Sequence, residues 1–274
     1  MAEEPIPEAP GSEALAPSAP PPRAGDGSDV GDASDRRPAY YAARPGGWRD
    51  WWTLLHPPYT AWHLAYVVIG ASLAPHVDLT RLVATLLAFL FAVGIAAHAL
   101  DELHGRPLGT RIPTPALVAL TVVGLAGAVA LGVAGLSRVG WPLIPFMVLG
   151  PLIVVGYNME LGGGLVHTDG GFALGWGAFP VLVAYVAQTG RIALSPVLAA
   201  GGAFAMSLAQ RRLSTQARLI RRRVTRVEGR LTLADGRSVP LDERTLLVPL
   251  EQALSALSWG VVLLAAALAI ARLS

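Results

Sequence analysis

The amino-acid sequence predicts an all-α fold: a polytopic membrane helical bundle of about seven transmembrane helices, with a small β-hairpin in one cytoplasmic loop. Three observations lead there. The 274 residues are 53% hydrophobic and only 15% charged, with a mean hydropathy of +0.50, the balance of a chain that uses lipid as solvent. The apolar residues fall into seven stretches, each near the roughly 20 residues that cross a bilayer core, and helix is the form in which such a stretch satisfies its own backbone. The arginines are divided unequally between alternate connections, as in chains with a fixed membrane orientation.

Composition also excludes chemistry. The chain has no cysteine, so it has no disulfide, thiol nucleophile or thiolate metal site. All 21 basic side chains are arginine, which rules out a Schiff-base lysine. Exclusive use of arginine fits GC-rich codons, and a prokaryotic cell membrane is the expected location.

In chain order, residues 1–38 are rich in Pro, Ala, Gly, Ser and acids. They bury too little apolar surface to offset their ordering entropy, so a disordered tail is expected. It lacks the apolar run of a signal peptide. Residues 39–57 interleave Tyr40, Tyr41, Trp48, Trp51 and Trp52 with Arg44 and Arg49, the mixture of an interfacial segment. Six spans are expected within residues 58–210, at about 58–73, 81–100, 114–136, 141–157, 171–188 and 193–209. Gly124, Gly127, Gly132 and Gly135 in the third suit close helix packing.

Residues 211–246 form a basic loop: a helical extension, then an alternating segment around Asp235-Gly236 that reads as a hairpin. Ten arginines against four acids give it a formal charge of +6. Anionic lipid headgroups are its expected partners, or else a phosphorylated substrate. It lacks the aromatic platform of nucleic-acid binders, so no nucleic acid is expected. Residues 247–274 hold the seventh span.

Seventeen arginines fall on the side of the N-terminus and the 211–246 loop, and Arg81, Arg138, Arg191 and Arg272 on the other. This places the N-terminus in the cytoplasm and the C-terminus outside.

The second span ends in HALDELHG. His98, Asp101 and Glu102 lie at i, i+3 and i+4, and His104 follows three residues after Asp101, so a continuing helix groups them on one face. Asp101 and Glu102 are the candidate catalytic acids; His98, Asp101, Glu102 and His104 are candidate ligands of a divalent cation. Ionisable groups at the end of an apolar span point to function, because stranding them there is costly. A second polar island, between the fourth and fifth spans, supplies Tyr157, Asn158 and Glu160 as candidate substrate-binding residues, with His167 and Asp169 nearby. His63 reads as an interhelical hydrogen bonder; His56 and His76 read as interfacial.

These stretches resemble the UbiA-type intramembrane prenyltransferase superfamily. LHPPYTAWHLAYVVIGASLA is similar to its opening helix, and GFALGWGAFPVLVAYVAQTG to its fifth helix with a glycine-tryptophan-glycine signature. HALDELHGRPLGTRIP resembles its first aspartate motif: Asp101 matches the second aspartate, His98 stands in place of the first, and Arg106, Pro107 and Leu108 match the following Arg-Pro-Leu. The resemblance covers roughly residues 55–215. It implies an isoprenoid diphosphate or other membrane lipid as substrate, Arg106 among the binding residues, and magnesium held between two acidic motifs. The second motif is absent: AQRRLSTQARLIRRR stands in its place, so magnesium is expected at a single site at most. Arg211, Arg212 and Arg218 are expected to grip phosphate oxygens directly. Three readings stay open: a divergent prenyltransferase, a catalytically inactive UbiA-fold lipid-binding or scaffold protein, and a metal-dependent lipid hydrolase or oxidase.

Overall fold

Proline, glycine and short capping side chains cut the apolar sequence into helices. In a computed structural model, which describes residues 38–273, these are α1 (Trp48–Leu54), α2 (Pro57–Ser72), α3 (Leu79–Leu103), α4 (Thr114–Val139), α5 (Trp141–Asn158), α6 (Asp169–Thr189), α7 (Leu194–Arg223) and α8 (Glu243–Leu273). The expected disordered tail lies outside the described residues except for Pro38. Pro57 opens α2 at its first turn, where a missing N–H costs nothing. The Asp78 carboxylate caps α3 by accepting from the Arg81 N–H at 3.1 Å, and the Thr168 hydroxyl caps α6 by accepting from the Gly171 N–H at 2.9 Å. Gly190, at φ +65°, ends α6 in the left-handed conformation.

The hairpin is present. β1 (Gly229–Thr232) and β2 (Ser238–Leu241) pair antiparallel, with Leu231 opposite Val239 and Thr232 opposite Ser238. Gly236 supplies the positive φ that its turn requires.

Five helices, α3, α4, α5, α6 and α8, are long and apolar enough to cross a membrane. The two other expected spans fall short for identifiable reasons. α2 has 16 residues, about 24 Å at 1.5 Å per residue, less than a full bilayer core. The second half of α7 carries Arg211, Arg212, Arg218, Arg221, Arg222 and Arg223. Exposed Val122, Val123 and Val133 on α4, and Leu263, Leu264 and Ile270 on α8, form the apolar surface such a bundle presents to lipid.

α2 and α6 hold the bundle together, each contributing to two buried clusters: one with α3 and α5, the other with α7 and α8. Their backbones touch. A Cβ on Gly70 of α2 would lie 2.2 Å from the Val181 carbonyl oxygen of α6, and one on Gly177 of α6 would lie 2.6 Å from the Ala203 carbonyl oxygen of α7. Both α3 and α6 contain a π-helical stretch, Leu90–Ala97 and Ala173–Ala178. Such stretches shift the side-chain register within a continuous helix.

Candidate functional site

A polar chamber of about 450 Å³ opens at the end of the bundle where α2, α6 and α8 begin and α3 and α5 end. The π stretches of α3 and α6 flank it: His98 and Asp101 follow the first, and Trp176 lies within the second. Of the sequence-predicted site residues, the chamber lining gathers His98, Asp101, His104, Tyr157, Asn158, Glu160, Arg211 and Arg218.

Glu102, Arg106 and Arg212 do not line it. Glu102 is fully buried, and its carboxylate accepts from the Leu108 N–H at 3.0 Å and from the N–H and hydroxyl of Thr110, both at 2.8 Å. It clamps the loop after α3 and has no oxygen turned to a ligand. Arg106 serves the same loop, donating to the carbonyls of Ile112 (2.6 Å) and Thr110 (3.3 Å) and to the Thr114 hydroxyl (2.9 Å). Arg212 lies off the chamber face of α7, exposed. On the other side of the loop, Asp50 of α1 accepts from the Arg111 N–H at 3.0 Å.

The chamber has three kinds of wall. On one side the rings of Tyr41 and Tyr59 (5.5 Å between centroids), Tyr41 and His56 (5.4 Å), and His56 and His98 (4.3 Å) are in contact. On another, His167 stacks on Tyr157 at 4.4 Å, and Phe172 stacks on Trp176 at 5.5 Å. The third wall is the stripe of α7 bearing Gln210, Arg211, Ser214, Arg218, Arg221 and Arg222, positions that share a helix face.

The imidazoles of His56, His63, His98 and His167 each meet a backbone carbonyl through Nδ1, at 2.8, 2.9, 3.1 and 2.9 Å. A carbonyl only accepts, so Nδ1 carries a proton in each. Burial, then the neighbouring His98, hold the pKa of His56 well below its usual value. His63 bonds to α6 as the sequence predicts. His56 lines the chamber, a placement that depends on α3 returning beside it.

The arginines differ in their partners. Arg221 makes a two-point pair with Glu251 of α8, Arg211 reaches Asp169 at 3.3 Å and lies 5.5 Å over the Phe172 ring, and Arg222 donates to the Pro38 carbonyl at 3.2 Å. Among the described residues Arg218 donates only to the Thr215 hydroxyl, at 3.3 Å, while interacting with the like charges of Arg211 and Arg222 and with Asp101. On the chamber lining, the Tyr157 hydroxyl and the Gln210 side-chain oxygen are buried with no hydrogen bond among the described residues, a costly state that a polar ligand relieves. An anion with several oxygens suits two members of this set, since Arg218 and Tyr157 donate to it and its charge offsets the crowded guanidiniums; the Gln210 oxygen is an acceptor and takes a donor instead.

A divalent cation fits poorly. Magnesium demands several oxygens in near-octahedral array. Asp101 faces the chamber, but Glu102 is committed to the loop, and among the described residues no three His, Asp or Glu side chains are gathered as a metal-holding group.

Beyond Trp176 a second cavity continues: an apolar groove of about 250 Å³ between α3, α4, α5 and α6. Trp176 lines both. Comparisons with family models, with curated proteins and with solved structures give no match.

Proposed function

We propose that the chain is an integral membrane, UbiA-like protein that takes an isoprenoid diphosphate at the cytoplasmic face and acts as a divergent prenyltransferase. The observation that carries this reading is the junction at Trp176, where an arginine-lined polar chamber meets an apolar groove. One amphiphile with an anionic head and a long apolar tail fills both. In this reading α2 and α7 cross the membrane as well, giving seven spans, with the arginine-rich end of the bundle in the cytoplasm.

Arg218, Arg211 and the Tyr157 hydroxyl bind the diphosphate oxygens and balance the charge that grows as the carbon–oxygen bond breaks. The leaving diphosphate keeps the electron pair, the allylic carbon bonds to the acceptor, and the acceptor's proton passes to Asp101. The aromatic walls and the groove exclude water from the cation. Guanidiniums thus do the neutralising.

The test is binding and turnover of geranylgeranyl diphosphate on purified protein, with and without magnesium. Binding is expected to be independent of magnesium and to weaken about tenfold to a hundredfold in Arg218→Ala. Asp101→Asn is expected to bind within about threefold of the parent and to release diphosphate at least about a hundredfold more slowly. Binding that requires magnesium, or that ignores Arg218, sinks the reading. A second reading, a UbiA-fold lipid-binding protein without catalysis, is favoured by the single uncommitted acid at the end of α3; binding with no diphosphate release selects it.

A further inference from the structure

One wall of the chamber is not a helix. Residues 38–47, which run into α1, form neither helix nor strand, and Pro38, Ala39, Tyr40 and Tyr41 among them line the chamber. This strap is rooted on the buried face of α1: the Gly46 N–H donates to the Asp50 carboxylate at 2.8 Å, and the Ala43 N–H to the Thr53 hydroxyl at 3.1 Å. Its far end is held by α7, where the Arg222 guanidinium donates to the Pro38 carbonyl at 3.2 Å. Arg222 lies about one turn beyond Arg218, so this tie sits beside the anion site.

Between root and tie the strap is packed but sparsely bonded. Tyr41 meets Tyr59 edge-on at 5.5 Å and His56 at 5.4 Å, Tyr40 packs on the cluster that Ile220 of α7 forms with Leu254 of α8, and Ala42 is only 1% exposed. Among the described residues its backbone makes one internal hydrogen bond, from the Ala42 N–H to the Ala39 carbonyl at 3.1 Å, where a helical wall has about one per residue. The strap turns into α1 through Gly46 at φ +121° and Gly47 at φ +61°. A Cβ on either would meet nothing within 4 Å, so glycine serves the backbone there rather than the packing, which is the character of a hinge.

We propose that residues 38–47 are a gate on the chamber: the strap pivots at Gly46-Gly47, is latched by Arg222 on the Pro38 carbonyl, and lifts to admit a ligand. Seated, Tyr40 and Tyr41 close the chamber beside Tyr59 and keep bulk water from the anion site. Lifting breaks the Arg222 tie and the tyrosine contacts. It leaves the helical walls in place, because each of these ties joins the strap to a helix and none joins one helix to another. The gate goes beyond the proposed reaction, since it concerns passage into the chamber and holds for whichever anion Arg218 takes.

Ser214 lines the chamber on α7 between Arg211 and Arg218 and is 5% exposed. The chain has no cysteine, so Ser214→Cys places a single thiol behind the strap. The experiment follows the reaction of that thiol with a sulfonate-bearing thiosulfonate reagent, in the full chain in lipid nanodiscs, in three backgrounds: otherwise unaltered, with Thr53→Val, and with Arg222→Gln. Thr53→Val removes the acceptor at the root of the strap and keeps the side chain's shape; Arg222→Gln removes the guanidinium at the far end. Each is expected to speed the reaction at 214 about tenfold, the equilibrium change for one lost hydrogen bond. Losing a guanidinium by itself slows an anionic reagent, so acceleration in Arg222→Gln reports the freed strap. Ser72→Cys, buried at the other end of α2, is expected to stay unreactive in all three backgrounds. Equal rates at 214 in all three, or an acceleration shared by the thiol at 72, overturn the gate. Inorganic diphosphate is expected to protect the thiol at 214; acceleration by both substitutions without that protection upholds the gate and counts against the proposed diphosphate site.

Discussion

Asp101 and Glu102 are neighbours with opposite tasks. Consecutive helical residues point about 100° apart, so when Asp101 faces the chamber its neighbour turns toward the loop 104–113. There Glu102 accepts three hydrogen bonds in full burial. Removing the charge but keeping the shape, as in Glu102→Gln, puts an amide NH₂ where a backbone donor needs an acceptor. The expected loss is about 1–3 kcal/mol of stability, read as a lowered unfolding midpoint in detergent. The loop's left-handed Arg106, at φ +52°, is strained without that clamp, so local proteolysis between residues 104 and 113 should rise as well. An unchanged midpoint would mean that the carboxylate is dispensable to the loop. Spacing alone could group the acids and histidines of HALDELHG, and the chamber does gather His98, Asp101 and His104. Spacing could not separate Glu102 from them, because its partners, two backbone N–H groups and the Thr110 hydroxyl, belong to a loop whose path is set by Gly105, Arg106 and Gly109.

At the scale of elements, the apolar stretches made the helices legible, and Asp235-Gly236 made the hairpin legible. The π stretches were not, since no residue type announces a one-residue register shift, and yet they turn His98 and Trp176 toward the site. Nor does composition distinguish a glycine that lets backbones touch from one that merely tolerates lipid. The structure draws that line at Gly70, where an added methyl would meet the Val181 carbonyl at 2.2 Å, and at Gly201, where nothing lies within 4 Å. Gly70→Ala is therefore expected to separate α2 from α6 and cost at least about 2–3 kcal/mol, in line with overpacking of a close contact. Gly201→Ala is expected to stay within about 0.5 kcal/mol of the parent or to gain slightly from helix propensity. Unfolding midpoints of the two variants, measured side by side in one detergent, decide the matter. Similar midpoints would show that α2 can shift off α6 at little cost.

For the whole molecule, the arginine asymmetry predicted from sequence coincides with the two ends of the bundle. The chamber end carries Arg211, Arg218, Arg221 and Arg222, while Arg81 and Arg138 meet at the other. Whether α2 and α7 cross the membrane depends on how far a short helix and an arginine-ended helix reach, and parity makes that measurable. The chain has no cysteine, so a single introduced thiol reports one position. Ser137 and Asp235 are separated by α5, α6 and α7, an odd number if α7 crosses and an even one if it does not. Trp48 and His76 are likewise separated by α2 alone. With Ser137→Cys, Asp235→Cys, Trp48→Cys and His76→Cys made one at a time, an impermeant maleimide applied to intact cells is expected to label the thiols at 137 and 76. Those at 48 and 235 should be labelled only after permeabilisation. Labelling of 137 and 235 from the same side would withdraw α7 from the membrane and leave its arginines facing a different compartment. Labelling of 48 and 76 from the same side would do the same for α2. Full reversal would keep the seven spans but turn the chamber outward, away from any cytoplasmic supply of isoprenoid diphosphate.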